Sequence, residues 1–305
     1  MSNKPEIAIS AVDLTKRYGS RVAVSHATFE VSLGTVCGFV GPNGSGKTTT
    51  MRMLLGLISP TGGTATILGE SIKHPERYLK SVGAMIEGPA FYPALSGAEN
   101  LRVLADLGGY SKLQIQGLLD RVGLGDRGDS KYKTYSLGMK QRLGIAASLL
   151  PNPHLLVLDE PTNGLDPAGI QEIRELLREL ADEGTTVFIS SHLLSEIEMI
   201  SDSLVMLRKG EVIFAGKTQE LLLRQQPTII AKSLEIGDLN RLLQIAHEAG
   251  HEGSIINEAA HILGPTEWAP VLNKLAFDSG IVLSHLAPVL PSLEETFFEM
   301  TGDEK

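Results

Sequence analysis

The sequence predicts an α/β fold with a mostly parallel sheet and flanking helices, followed by a smaller α+β domain. Three segments, 155–158, 185–190 and 203–208, are apolar nearly throughout, which is typical of strands that are covered on both faces. A predicted helix at 169–183 separates the first two segments. This strand–helix–strand succession indicates the βαβ arrangement of a parallel sheet.

The elements before this region are predicted to mix strands and helices. A glycine-rich loop opens the first helix, and a further amphipathic helix begins at 136–138 and runs through Leu143, Ala146 and Leu150. The remaining predicted elements are strands at 7–14, 22–31, 35–40 and 63–68, a helix at 46–57, a segment with scattered Gly and Pro at 83–97, and a helical region from 98 to about 122.

A domain boundary is predicted near 224–227, which gives a first domain at 1–223 and an accessory domain at 224–305. The second domain holds 5 Lys and Arg against 12 Asp and Glu, a net charge of −7 out of −9 for the whole chain. No motif with chemistry stands out in it. Its predicted elements are strands at 228–234, 254–263 and 281–286 and helices at 239–249, at 266–278 and from 292 onward.

Composition excludes several classes of protein. The negative net charge argues against binding to a nucleic-acid backbone, so no nucleic-acid partner is expected. The single cysteine, Cys37, forms no intramolecular disulfide and is predicted to be a packed core thiol. No run of 18 apolar residues and no apolar signal segment occur, so we expect a chain that neither spans a membrane nor is exported.

A phosphate-binding loop is the first motif that carries chemistry. The pattern G-x-x-x-x-G-K-[ST] follows a predicted strand and precedes a predicted helix, which is the context that the motif requires. Its backbone amides can surround phosphates, Lys47 can contact the β- and γ-phosphates, and the Thr48 hydroxyl can ligate Mg²⁺. The motif and the threonine after it comprise Gly41, Pro42, Asn43, Gly44, Ser45, Gly46, Lys47, Thr48 and Thr49.

Two adjacent acids, Asp159 and Glu160, end the apolar segment 155–158. A buried strand that ends in carboxylates delivers charge at its C-terminal edge. Asp159 is suited to hold Mg²⁺, and Glu160 is then free to act on an attacking water as a general base. Upstream, Ser136 and Gly138 place a hydroxyl and an amide at a predicted helix N-terminus, where anions bind readily.

With these motifs the chain resembles the ATP-binding cassette family, the nucleotide-binding subunits of ABC transporters, over roughly residues 6–222. The resemblance implies a P-loop NTPase core with an antiparallel β subdomain and a helical subdomain at about 88–150. It depends on six motifs in the family's order: Tyr18, GPNGSGKTT at 41–49, Glu87, YSLGMKQR at 135–142, LLVLDEP at 155–161 with NGLD at 163–166, and His192.

The resemblance assigns roles to several of these residues. It implies that Tyr18 stacks on adenine and that His192 contacts the γ-phosphate. Ser136 and Gly138 resemble the signature groups that reach the ATP of the opposite subunit, and Asp166 resembles the acid at that interface. It therefore implies a head-to-tail dimer, a homodimer or a pairing with a second cassette, that encloses two ATP molecules.

Two positions depart from the family pattern. The signature reads Ser-Leu-Gly-Met at 136–139 where the common form is Ser-Gly-Gly-Gln, although the serine and second glycine remain. Glu87 stands where the family usually has a glutamine beside the nucleotide and its metal. A glutamate there resembles the lantibiotic-immunity and bacitracin-resistance branch, so we expect it to couple ATP binding to an export partner; drift at a tolerant position is the alternative.

The expected function is ATP hydrolysis that powers a separate integral membrane permease, with ATP and Mg²⁺ as cofactors. The subunit is expected to be cytoplasmic and peripheral on the inner face of the membrane, and to serve a peptide-antibiotic or multidrug exporter. A non-transport ATPase acting on ribosomes or DNA is the alternative. The span of 89 residues from Lys47 to Ser136 includes no sustained heptads and no basic tract, which argues against it. Glu160 and His192 argue against a module that binds ATP without cleaving it.

Overall fold

Three sheets organise the chain, which a computed structural model describes over residues 7–88, 90–223 and 226–301. Two units divide between Thr218 and Gln219, and the domain boundary predicted at 223/224 stays a prediction. The strands of the first unit are β1 (Ile7–Tyr18), β2 (Arg21–Ser32), β3 (Val36–Val40), β4 (Gly62–Ile67), β5 (Glu70–Ser71), β6 (Val82–Met85), β7 (Leu155–Asp159), β8 (Thr186–Ser191), β9 (Ser203–Arg208) and β10 (Glu211–Lys217).

Helices connect most of these strands. The predicted helical region from 98 to about 122 divides into two helices, because Gly109 adopts a left-handed conformation (φ 68°) that ends the first of them. The helices are α1 (Lys47–Leu54), α2 (Pro75–Tyr78), α3 (Gly97–Gly108), α4 (Ile115–Arg121), α5 (Leu137–Leu149), α6 (Pro167–Asp182), α7 (Leu194–Glu198) and α8 (Thr218–Leu222), the last of which spans the division between the units.

The central sheet has the strand order β10-β9-β3-β8-β7-β6. Its neighbours pair in parallel except for β10, which pairs antiparallel with β9. Every residue of β3, β7 and β8 is buried, which is why these segments lack the alternation of half-exposed strands. The prediction of a mostly parallel α/β core is therefore confirmed.

A second, antiparallel sheet has the order β2-β1-β4-β5 and shares a core with the central sheet. Phe29 of β2 stacks on Phe188 of β8 with ring centroids 6.1 Å apart, and Phe39 of β3 lies 4.9 Å from Phe188. Cys37 is fully buried in the same core, and burial raises the pKa of its thiol to about 12. The expectation of a packed core thiol is confirmed.

The second unit is a four-stranded antiparallel sheet with the order β12-β13-β11-β14. The prediction of one strand at 254–263 is wrong, because Asn257 and Glu258 take left-handed conformations (φ 48° and 60°) and form a hairpin turn there. Its elements are β11 (Thr228–Ser233), α9 (Leu239–Glu248), β12 (Gly253–Ile256), β13 (Ala259–Leu263), α10 (Ala269–Asp278), β14 (Leu283–Val289) and α11 (Leu293–Thr301).

Helices α9 and α10 bury apolar side chains against this small sheet, and together they form a core of their own. Leu242 and Leu272 of the helices pack with Ile229 and Ile262 of the strands. Among the described residues of the whole chain, no helix combines the length and the apolar character needed to cross a bilayer.

Candidate functional site

The loop between β3 and α1 has a backbone that only glycine tolerates at two positions. Gly41 and Gly46 have φ angles of 154° and 109°. A Cβ on Gly41 would lie 2.3 Å from the carbonyl oxygen of Leu207, and one on Gly46 would lie 2.7 Å from that of Ala23. The two glycines therefore allow the loop to fold tightly over β9 and β2, and the predicted strand–loop–helix context is confirmed.

Lys47 begins α1 and places its ammonium group inside this loop. The side chain is only 6% exposed, and its Nζ donates a hydrogen bond of 2.6 Å to the carbonyl of Gly41. Nζ also lies 3.6 Å from the Glu160 carboxylate. In the same loop, the buried hydroxyl of Ser45 has no hydrogen-bond partner in the part of the chain that the structure describes. A buried cation and an unpaired hydroxyl suit an anionic ligand such as a phosphate chain.

Asp159, the last residue of β7, forms hydrogen bonds both to α1 and to the neighbouring strand β8. Its Oδ2 accepts a 2.8 Å hydrogen bond from the Thr48 hydroxyl, and its Oδ1 accepts a 2.5 Å hydrogen bond from the Ser190 hydroxyl. Strand register sets the second contact, because Asp159 of β7 pairs with Ser190 of β8. A carboxylate beside a hydroxyl is a donor set that fits Mg²⁺, which prefers oxygen ligands. Ser190 was not among the site residues predicted from the sequence, although a polar residue at the end of an apolar strand was an available signal.

Glu160 follows in a left-handed conformation (φ 50°), which L-residues rarely adopt. Its backbone N–H donates to the Ser190 hydroxyl at 3.0 Å. Its carboxylate Oε2 lies 2.7 Å from Nδ1 of His192, just after β8. The predicted acid and the predicted histidine thus lie in direct contact, although 32 residues separate them in the chain.

A cavity of about 380 Å³ opens beside these groups. Three cationic side chains and one carboxylate line it, so its charge favours a polyphosphate. Two of these cations, Arg21 and Lys209, were not predicted from the sequence. The lining residues are Arg21, Val22, Ala23, Asn43, Gly44, Gly46, Lys47, Thr48, Thr49, Glu160 and Lys209.

Several predicted ligand contacts lie outside this lining. Asp159 and His192 do not line the cavity but bond to Thr48 and Glu160, which do. Tyr18 and Glu87 lie outside the lining as well. Tyr18 ends β1 and pairs with Arg21 of β2, and its half-exposed ring has the Lys16 ammonium 5.1 Å from its centroid. Glu87, beyond β6, forms an ion pair with Arg52 of α1 over 2.5 Å. The nucleotide and metal contacts predicted for Tyr18 and Glu87 stay predictions.

The signature residues form a separate group. Ser136 caps α5 by accepting a hydrogen bond from the Met139 amide, and Asp166 caps α6 by accepting one from the Gly169 amide. The two helix starts lie close together: a Cβ added to Gly138 would lie 3.2 Å from the side chain of Leu165, which precedes the cap of α6. None of the predicted residues Ser136, Gly138 and Asp166 lines the cavity.

Comparisons with known proteins agree with this geometry. Residues 24–163 match the ABC transporter family. The chain is 40% identical over 304 residues to the bacitracin transport ATP-binding protein BcrA of Bacillus licheniformis, with 96% of this chain and 97% of that protein covered. It is 45% identical over 201 residues to the lantibiotic transport ATP-binding protein SrtF of Streptococcus pyogenes, with 66% and 87% covered.

A drug-resistance protein and a solved structure extend the comparison. The daunorubicin/doxorubicin resistance ATP-binding protein DrrA of Streptomyces peucetius is 39% identical over 226 residues, with 72% of this chain and 68% of that protein covered. An ATP-binding subunit of an ABC transporter superposes with a TM-score of 0.65 and 31% identity over 71% of this chain and 92% of that one. The chain therefore belongs to the ABC transporter family, as an ATP-binding subunit that hydrolyses ATP to drive transport across a membrane.

Proposed function

We propose that this subunit powers the export of a peptide antibiotic or a related drug through a separate permease. The observation that carries the proposal is the 40% identity to a bacitracin transport protein over 96% of the chain, accessory unit included. The lantibiotic and daunorubicin/doxorubicin relatives support the same class of cargo. A subunit of this kind would work at the cytoplasmic face of the membrane.

Mg²⁺ and the phosphates of ATP would be held by the groups around Lys47. Lys47 and the loop amides would bind the phosphates, and Thr48 and Asp159 would hold the metal, whose charge offsets the negative charge of the nucleotide. Ser190 would position Asp159 through their 2.5 Å hydrogen bond. Burial of Lys47 and Asp159, each only 6% exposed, strengthens their electrostatic interactions with the ligand.

Glu160 would act as the general base on the attacking water. Its carboxylate lies between the Lys47 ammonium at 3.6 Å and the His192 imidazole at 2.7 Å, so both of its oxygens have a partner that holds them in place. His192 would then contact the γ-phosphate from the same side. Tyr18, next to the lining residue Arg21, would stack on the base of the nucleotide.

The signature group would serve the ATP of a second cassette. Ser136 and Gly138 stand at the N-terminus of α5, where backbone amides and the helix dipole favour an anion, but they do not line the cavity of their own chain. Two copies arranged head to tail would bring each signature group to the partner's cavity, with Asp166 at the interface. The dimer would be a homodimer or a pairing with a second cassette.

Replacement of the proposed base tests this mechanism. We expect Glu160→Gln to lower the rate of phosphate release about 10²–10⁴-fold, because the base is lost, while ATP affinity is retained. Light scattering should show that this variant becomes a dimer when ATP is added. The matched control is Glu179→Gln on the exposed face of α6, which should behave as wild type. Unchanged turnover, or a variant that stays monomeric with saturating ATP, would contradict the mechanism.

The cargo is tested in cells. Expressed with its permease in a bacitracin-sensitive host, the wild-type subunit should raise the inhibitory concentration of bacitracin or of a lantibiotic. Lys47→Ala should abolish the increase, because it removes the cation that binds the phosphates. Equal sensitivity with and without the active subunit, towards all of these antibiotics and daunorubicin, would refute the proposed cargo.

A further inference from the structure

The ion pair between Arg52 and Glu87 joins the phosphate-binding helix to the loop that follows β6. The Glu87 Oε1 and Arg52 Nη2 atoms are 2.5 Å apart, and the two side chains are 60% and 35% exposed. Arg52 lies on α1, which begins with Lys47 and Thr48. Five residues of helix span about 7.5 Å, so one short rigid element carries the proposed phosphate contacts at its start and the Glu87 partner near its end.

The backbone of the loop at 86–88 adopts an unfavourable conformation. Glu87 has a φ of 60° and Gly88 a φ of 87°, and a left-handed conformation costs free energy for any residue with a Cβ. The loop leaves β6 beside β7, where Met85 pairs with Leu158, the residue before Asp159. A glutamine at position 87 would offer Arg52 only a neutral acceptor, whereas the carboxylate forms the stronger charge-assisted contact.

We propose that Arg52 is a positioning residue: through its ion pair with Glu87 it fastens the loop at 86–88 to the helix that binds the phosphates of ATP. This inference rests on the proposed function of that helix. When ATP binding restricts the motion of α1, the ion pair also restricts the motion of the loop at 86–88. In a subunit with glutamine at this position, Arg52 would hold the loop less tightly.

Hydrogen–deuterium exchange on the full chain tests the inference without the permease. All variants carry Glu160→Gln, so that ATP stays bound. With Arg52 intact, ATP should slow the exchange of amides at 86–88 about two- to fivefold, the range that a partly exposed ion pair supports. Arg52→Gln should remove this slowing but leave the protection of the loop at 41–48 by ATP unchanged.

A second ion pair provides the matched control. Arg121 and Glu183 are 2.6 Å apart with side chains 30% and 59% exposed, close to the values for Arg52 and Glu87. Arg121→Gln should leave the response of 86–88 to ATP intact. The reversed pair, Arg52→Glu with Glu87→Arg, should restore the response that Arg52→Gln abolishes.

Two outcomes separate the inference from the proposed function. If ATP protects 41–48 and the response at 86–88 is the same with and without Arg52, or is absent in both, the role of Arg52 is refuted while the nucleotide site stands. If ATP fails to protect 41–48 with Arg52 intact, the proposed nucleotide site itself is wrong.

Discussion

At the scale of single residues, Ser190 forms hydrogen bonds to both proposed site acids, Asp159 and Glu160. Its hydroxyl donates to Asp159 at 2.5 Å and accepts from the Glu160 amide at 3.0 Å. It is fully buried at the end of β8. The proposed metal ligand and the proposed base therefore share one support, and Glu160 keeps its left-handed backbone while bonded to it.

We expect Ser190→Ala to lower both the stability of the fold and the affinity of the site for Mg²⁺, although it removes only one hydroxyl. The change removes the hydroxyl that donates to Asp159 Oδ1 and leaves the Glu160 amide only its 3.3 Å contact with the Ser190 backbone carbonyl. An unpaired buried carboxylate oxygen costs about 1–3 kcal/mol of the free energy of unfolding. It should also raise the Mg²⁺ concentration required for half-maximal ATP hydrolysis, because Asp159 is less firmly held. Urea denaturation and Mg²⁺ titrations measure the two effects.

Its neighbour provides the control. Ser191 is almost equally buried, but among the described residues its hydroxyl bonds only to the Leu193 backbone. Ser191→Ala should leave the Mg²⁺ requirement unchanged. An equal Mg²⁺ response in the two variants would show that Ser190 does not position Asp159.

At the scale of elements, side chains at the start of helix α3 stabilise the helical segment that follows β6. Ser96 and Glu99 form a capping box: the Ser96 hydroxyl accepts from the Glu99 amide at 3.1 Å, and the Glu99 carboxylate accepts from the Ser96 amide at 2.7 Å. The Ser96 backbone N–H, and then its side chain, hold the pKa of Glu99 below its ordinary value of 4.5. The start of α3 is thus stabilised by an ionised carboxylate.

This lowered pKa predicts a pH-dependent stability. Because the pKa of Glu99 is lower in the folded chain, its contribution is complete above the ordinary pKa of 4.5 and is lost as the pH falls through the folded value. Glu99→Gln should therefore be less stable than wild type at pH 7 and equally stable at low pH. Urea midpoints at both pH values check this, with Glu179→Gln as the control. A difference that persisted at low pH would show that the charge is not its origin.

At the scale of the whole molecule, each chain carries two groups of proposed ATP-binding residues, and the two groups lie apart from each other. Lys47, Thr48 and Glu160 line the cavity, and Asp159 and His192 bond to Thr48 and Glu160. The signature group (Ser136, Gly138 and Asp166) belongs instead to the neighbouring starts of α5 and α6. The second unit carries most of the net negative charge and a separate core. Complete sites would then require a second chain.

Mixing two inactive variants tests this requirement. Lys47→Ala disables the site at its own loop, and Ser136→Arg disables the site at the partner's loop. In a mixed head-to-tail dimer both lesions fall in one site, so the other is intact, and about a quarter of all sites should be functional after random mixing. Recovery of ATP hydrolysis on mixing measures this. If the mixture stayed as inactive as each variant alone, the signature would act within its own chain.

The sequence by itself determined the α/β core, the phosphate loop and the two acids at the end of β7, Asp159 and Glu160. These features are encoded locally: glycine alone fits the φ angles at Gly41 and Gly46, and buried parallel strands must be apolar. It missed the turn at Asn257 and Glu258, because neither residue is the glycine that usually marks a hairpin.

Only the tertiary structure decided which distant groups touch. Strand register places Ser190 against Asp159, and the packing of α1 beside the loop after β6 brings Arg52 to Glu87. It also keeps the signature group away from the cavity of its own chain. Spacing along the chain carries no information on such contacts, since they arise where separate elements meet and depend on register and on side-chain direction.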